Sequence, residues 1–253
     1  MKRKGLIDWL GSVLMLAALG LLWWEASQGG WVSKVFLPTP EATWQSLMEG
    51  FTSGDLLAQT EVTLARMLLG WVLASILGIT LGMMIGSSEL LRSYLQPTFE
   101  FIRPLPASAV MPLGIAVFGL NPGMVLFVVA FGAMWPVLLA TLYGFNNIHP
   151  RLREVSHALQ LSPTSFAFKM GLPNAMPDIL AGMRLSLTVS LIVSVVGEMI
   201  ASQSGLGQAV LLAARAFRAS ELFAGVILLS SIGIVSNAAL SLIERRVLRW
   251  QNR

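Results

Sequence analysis

Residues 123–145 read Gly123-Met124-Val125-Leu126-Phe127-Val128-Val129-Ala130-Phe131-Gly132-Ala133-Met134-Trp135-Pro136-Val137-Leu138-Leu139-Ala140-Thr141-Leu142-Tyr143-Gly144-Phe145, without one charged side chain. A run of this length and character matches the roughly 20 apolar residues that a helix needs to cross a bilayer. Comparable runs occupy residues 9–24, 62–86, 105–120, 179–201 and 222–243. The third, at 105–120, is the weakest, being short and interrupted by Pro106, Pro112 and Gly114. Six spans with their connectors use up the 253 residues. The expected fold class is therefore all-α, a single membrane domain of about six transmembrane helices over 1–253.

Composition agrees. The chain is 55% hydrophobic and 12% charged, against roughly 45–50% and 25% in an ordinary soluble domain. Its mean hydropathy is +0.71. A soluble core cannot hide that much apolar surface, so lipid must cover it. The net charge of +4 is spread near helix ends and is not gathered with aromatics into a nucleic-acid patch.

The basic residues decide the orientation. With the N-terminus inside, Lys2, Arg3, Lys4, Arg92, Arg103, Arg151, Arg153, Lys169, Arg184, Arg245, Arg246, Arg249 and Arg253 fall on or near the cytoplasmic side, and only Lys34, Arg215 and Arg218 clearly outside. That is the positive-inside pattern. Asn174 is then inside, and Thr43 and Gln203 outside. Lys2-Arg3-Lys4 before an apolar run also resembles a signal peptide, but no small-x-small cleavage site follows Trp23-Trp24-Glu25, which favours a retained first helix. Arg66, a few residues into the second span, is expected to snorkel to the interface.

Several chemistries are disfavoured. There is no cysteine, hence no thiolate catalysis or cysteine metal site. His149 and His157 have no cluster of acidic ligands near them in sequence, so no metal is expected. No lysine has the Gly-x-x-x-x-Gly-Lys setting of a phosphate loop. Neither histidine lies in a span beside a serine, so no catalytic residue is assigned. A secondary transporter or channel is the main rival reading, but it normally places ionisable groups deep in several spans.

Two connectors are long, 25–61 outside and 146–178 inside. Residues 207–217 read as a short interfacial helix after the Gly205-Leu206-Gly207 turn. The inside connector carries two short helices. The first shows Leu152, Val155 and Leu159 on one face. The second starts where Ser162 caps and Pro163 takes a first-turn position, and Gly171-Leu172-Pro173 is expected to stop it. In physical terms this helix-bend-helix is a docking knob.

At these residues the chain resembles the binding-protein-dependent ABC permeases, whose cytoplasmic loop carries Glu-Ala-Ala, a glycine three residues on and a downstream Leu-Pro. Glu154-Val155-Ser156 and Leu172-Pro173 hold the outer positions, while Gln160 stands where the family has glycine, which suggests a looser bend. Phe36-Leu37-Pro38-Thr39-Pro40, Arg103-Pro104-Leu105-Pro106, Gly182-Met183-Arg184-Leu185, Glu198-Met199, Gly205-Leu206-Gly207 and Glu244-Arg245-Arg246 are similar to the branch that imports sulfonates, taurine, nitrate and thiamine-precursor pyrimidines. The resemblance implies a type I importer fold in the inner membrane, a homodimer, two cytoplasmic ATP-binding subunits and a periplasmic solute-binding protein. It implies no cofactor on this chain, since ATP is bound by the partners. It assigns Glu154, Val155, Ser156, His157, Ala158, Leu159, Gln160, Leu161, Ser162 and Pro163 to ATPase coupling. For Arg151, Arg153 and His157, charge contacts with the ATPase compete with simple solvation.

Ser186, Ser190, Ser194 and Glu198 recur every four residues along the fifth span. This stripe should face protein or water. It either packs helices together or lines the path or the dimer seam, and on the second reading Ser190→Leu blocks transport in an assembled complex. A carboxylate within a span is costly, so Glu198 is read as a gate or helix-positioning group that can also reach the interface. Arg184 reads as an interfacial anchor or an attractor of anions.

Overall fold

The computed structural model describes residues 2–30, 32–53 and 55–249, with the backbone alone for 2–9 and 157. Arg253 and the side chains of Lys2, Arg3, Lys4 and His157 lie outside the described residues. The described residues are almost entirely helical. The helices are α1 (Lys2–Gln28), α2 (Pro40–Ser53), α3 (Asp55–Gly86), α4 (Glu89–Ile102), α5 (Ala107–Phe118), α6 (Pro122–Asn146), α7 (Pro150–Ala158), α8 (Pro163–Phe166), α9 (Leu172–Ala201), α10 (Leu206–Arg215) and α11 (Ala219–Val247). A π-helical turn, Ala167–Gly171, joins α8 to α9. Among the described residues, five stretches are long and apolar enough to cross a membrane: Leu10–Gln28, Asp55–Gly86, Pro122–Asn146, Pro163–Ala201 and Ala219–Val247.

Residues 105–120 do not form a span of their own. Helix α5 has twelve residues, about 18 Å of rise, which is short of a hydrocarbon core of about 30 Å. It pairs with α4 across a 97° bend. The bend falls at Arg103-Pro104-Leu105-Pro106, where two prolines withhold backbone donors. A sixth crossing exists only if α4 and α5 count together.

The chain divides into two compact units, residues 1–59 with 209–229, and residues 60–208 with 230–253. In the first, Trp23 stacks on Phe223 at 5.7 Å and donates to the Pro38 carbonyl at 2.9 Å. Trp24 donates to Glu41 at 2.9 Å, and Phe36 meets Phe217 edge-on at 6.4 Å. The Phe36-Leu37-Pro38 stretch and the start of α2 are thus pinned to the end of α1.

The second unit is built around α6 and α9. Met111, Met124, Val125, Val128, Val129 and Val193 form one buried cluster. Phe145, Ile148, Ala167, Ala175 and Ile179 form another at the opposite end of α6. Small residues on α3 let α6 approach: Gly70, Ala74, Gly78, Gly82 and Gly86 recur every four residues. A Cβ on Gly78 would lie 2.8 Å from Val137 Cβ, on Gly82 2.6 Å from Thr141 Cβ, and on Gly86 2.7 Å from Phe145 Cβ. Lipid tails supply no hydrophobic drive between membrane helices, so such close packing is what holds them together.

Gly171-Leu172-Pro173 does not stop a helix as expected. Gly171 keeps helical angles, φ −63° and ψ −57°, and the π turn leads without a break into α9. The Leu172 amide donates back to the Ala167 carbonyl, and the wider turn accommodates Pro173, which has no N–H to give to the ladder. Glycine is required at 171 because the Phe145 ring lies on it, with Cζ 2.8 Å from where a Cβ would stand.

Candidate functional site

Two places in the second unit concentrate the residues singled out above. The first is the loop between α6 and α9. Helix α7 is tied to the end of α6 by Arg153, whose Nη2 reaches the Phe145 carbonyl at 3.5 Å. Ser156 is buried and donates to the Arg153 carbonyl at 2.7 Å. The opposite face is open: Leu152 is 37% exposed, Val155 45% and Leu159 63%. Glu154, Ala158 and Gln160 are exposed beside them. Arg151 and Arg153 are exposed too, which suits solvation as well as contact with a partner.

Helix α7 ends in a left-handed turn. Gln160 takes φ +47°, and the Leu161 amide donates back to the Ser156 carbonyl at 3.0 Å, the six-to-one bond that closes such a terminus. The bend is therefore as tight as a glycine would make it. A looser bend was the expectation, and the hydrogen bond overturns it. Ser162 then caps α8, accepting from the Ser165 amide at 3.2 Å, with Pro163 next to it in the first turn.

The second place is a buried carboxylate near the far end of α9. Glu198 is 0% exposed and Arg66 is 7% exposed. The Arg66 guanidinium donates to Glu198 Oε1 and to the Ser204 carbonyl at 3.2 Å. Thr63 donates to both carboxylate oxygens at 3.0 Å and accepts from the Leu206 amide at 2.9 Å. The Gly207 amide donates to Glu198 Oε2 at 2.9 Å. A Cβ at Gly205, where φ is +150°, would run into this carboxylate. The Gly205-Leu206-Gly207 turn thus wraps its backbone donors around Glu198 as α10 begins, and the first turn of a helix favours an anion. Arg66 does not snorkel: its partner lies 132 residues away in sequence, and burial with that partner replaces the interface.

The serine stripe leads from one place toward the other, but inside the protein. Ser186, Ser190 and Ser194 are all 0% exposed. Ser186 donates across to the Ala133 carbonyl of α6 at 2.6 Å, and Ser190 to the Leu187 carbonyl of its own helix at 2.7 Å. A dimer seam must be exposed on the protomer, and in this conformation the stripe is not. It packs α9 on α6. Arg184 pairs with Glu244 and donates to Ser241 at 3.0 Å, so it ties α9 to α11.

Among the described residues, no group of three or more His, Asp or Glu side chains is placed to hold a metal ion. The arrangement offers one buried ionic fastening and one exposed apolar knob.

Residues 74–249 match the family described as binding-protein-dependent transport system inner membrane component. The chain belongs to that family. This permease is 32% identical over 251 residues to SsuC of Bacillus subtilis, a protein named for transport of aliphatic sulfonates, covering 99% of this chain and 90% of that one. It is 28% identical to the taurine transport system permease protein TauC of Escherichia coli, covering 94% and 89%. It is 29% identical to the nitrate import permease protein NrtB of Leptolyngbya laminosa, covering 82% and 76%. Its fold is shared with a chain of the MetNI methionine ABC transporter at a TM-score of 0.65 and 20% identity, covering 78% of this permease and 97% of that chain. A chain of an amino acid ABC transporter gives 0.61. The family match takes in the α7 loop and Glu198 but neither α1 nor α2.

The small residues of α3 recur four apart within one span, a local pattern whose partner helix only the structure supplies. No local signal announces the Arg66–Glu198 pair.

Proposed function

We propose that this chain is the membrane-spanning permease of an ATP-driven importer for a small solute, a sulfonate, taurine, nitrate or a related molecule. Two copies form the path, a periplasmic binding protein delivers the solute, and ATP is hydrolysed on two cytoplasmic subunits. The observation that carries the reading is the exposed apolar face of α7, held on a rigid turn at the position of the family's cytoplasmic loop. Leu152, Val155 and Leu159 need a groove to cover them, and an ATPase surface is the partner that would convert its own closure into movement of α6 and α9. The names of the relatives support the solute class. The excess of basic residues around α7 supports a cytoplasmic position for it.

Ala158→Arg tests the reading. The substitution puts bulk and charge on the docking helix without touching a span. The variant is expected to insert in the membrane at the parent's level but to lose co-purifying ATPase. Equal recovery of the ATPase with parent and variant would refute the coupling role. Solute binding measured on the cognate receptor then identifies the cargo.

A further inference from the structure

Helix α4 carries Arg92, Gln96, Glu100 and Arg103 along one face and Leu90, Tyr94 and Phe101 along the other. The polar face fronts α6 of the same protomer across a cavity of about 300 Å³, whose opposite wall includes Tyr143 and Asn146. The depth of the cavity follows from α6, which runs from Pro122 to Asn146. Phe99 meets Trp135 edge-on at 5.8 Å, and Trp135 lies about 17 Å of helix rise from Asn146. A Cβ on Gly132, one turn further, would stand 2.8 Å from the Cβ of Ala107, where α5 begins. The cavity therefore starts at the Asn146 end of α6 and ends against Phe99 and Trp135, near the middle of a hydrocarbon core about 30 Å thick.

Two features at that depth are incompatible with lipid. Glu100 and Arg103 are exposed, and among the described residues neither has an ion-pair partner. Glu100 accepts only from Gln96 Nε2, at 2.8 Å. Charged side chains within a membrane face water or protein. The backbone adds an independent constraint. At Arg103-Pro104-Leu105-Pro106 the chain leaves the helix, and all four residues are exposed. Irregular backbone at membrane depth occurs only where it is buried in protein or lines a water-filled cavity. Because the polar face looks across a gap at its own α6, water fits it better than a second copy does.

We propose that the cavity between α4 and α6 is a water-filled crevice open to the cytoplasm, and that α4, in place of the α9 stripe, supplies the wet wall of the inner half of the transport path. Gln96, Glu100 and Arg103 hold the water, and Phe99 with Trp135 ends it at mid-depth. The inference deepens the transport reading and takes its direction from the proposed cytoplasmic position of α7.

The test uses the natural absence of cysteine. Gln96→Cys, Glu100→Cys and Tyr143→Cys variants of the assembled transporter are treated with a charged, impermeant methanethiosulfonate in inside-out and right-side-out vesicles. Phe101→Cys is the control, since Phe101 is 80% exposed on the opposite face of α4 and shares the depth without the water. The three crevice cysteines are expected to react from the inner face at least tenfold faster than Phe101→Cys, and not from the outer face. Trapping the ATPase partners with vanadate should slow Glu100→Cys severalfold, as the inner end of a path closes. Rates no faster than that of Phe101→Cys, at cysteines that do react after denaturation, overturn the crevice and assign this face to a protein contact. An unchanged rate after trapping overturns its place in the path. Reaction from the outer face alone overturns the opening, and Glu154→Cys in the same vesicles shows whether the orientation has failed with it. The labelling needs no solute, so its failure leaves the tests of cargo and of ATPase coupling standing.

Discussion

Glu198 accepts from Arg66, Thr63 and the Gly207 amide inside a bundle that excludes water. Removing one member of such a pair leaves a buried charge uncompensated, at a cost of about 3–5 kcal/mol. Glu198→Gln should therefore lower the melting temperature of the purified chain sharply, and adding Arg66→Gln should recover part of the loss. If the double variant is no more stable than the single one, the fastening is not ionic. Gln160 makes the opposite case. It occupies the left-handed region at φ +47°, which costs a residue with a Cβ about 1–2 kcal/mol. Gln160→Gly should raise stability modestly and leave ATPase recruitment intact, and a loss of recruitment would mean that the Gln160 side chain itself touches the partner. Ser190 is fully buried, so Ser190→Leu overpacks the interior around α9 by about 1–3 kcal/mol. The expected result is a poor yield of folded chain, in place of an assembled complex with a blocked path. Recovery of a normally stable, inactive complex would support the path reading instead.

At the scale of elements, α3 and α6 depend on the ladder of small residues at 70, 74, 78, 82 and 86. Gly78→Leu places a branched side chain where even a Cβ would meet Val137 at 2.8 Å and the Met134 carbonyl at 2.9 Å. The backbone contact cannot yield, so the helices must separate. Thermal denaturation should show a loss far larger than for Gly20→Leu in α1, where nothing lies within 4 Å of the added Cβ. Comparable losses would mean that the ladder is incidental. The existence and type of the long helices were legible because an apolar run admits no other backbone in lipid. The bend between α4 and α5 was legible only in part: Pro104 and Pro106 announce a break, but not its 97° angle. The continuation of α8 into α9 was illegible, because a π turn and a stop signal share the same Gly-Leu-Pro spelling.

For the whole molecule, the basic-residue asymmetry predicts that α7 and the end of α2 lie on opposite sides of the membrane. The chain has no cysteine, so single replacements report without background. Glu154→Cys should be labelled by an impermeant maleimide only after the membrane is opened, and Thr52→Cys in intact cells. The reverse pattern, or labelling of both from one side, breaks the proposed topology. Family and fold class followed from local quantities, namely apolar run length and the spelling of one loop, each set by the chain's exchange with lipid and water. What only the tertiary structure decided is which buried groups meet. Arg66 is paired and not snorkelled, Ser186 reaches across to the Ala133 carbonyl of α6, and Glu198 gathers its donors from Arg66, Thr63 and Gly207. These outcomes depend on side chains tens of residues apart converging within about 3 Å, and no local pattern in the sequence encodes that distance.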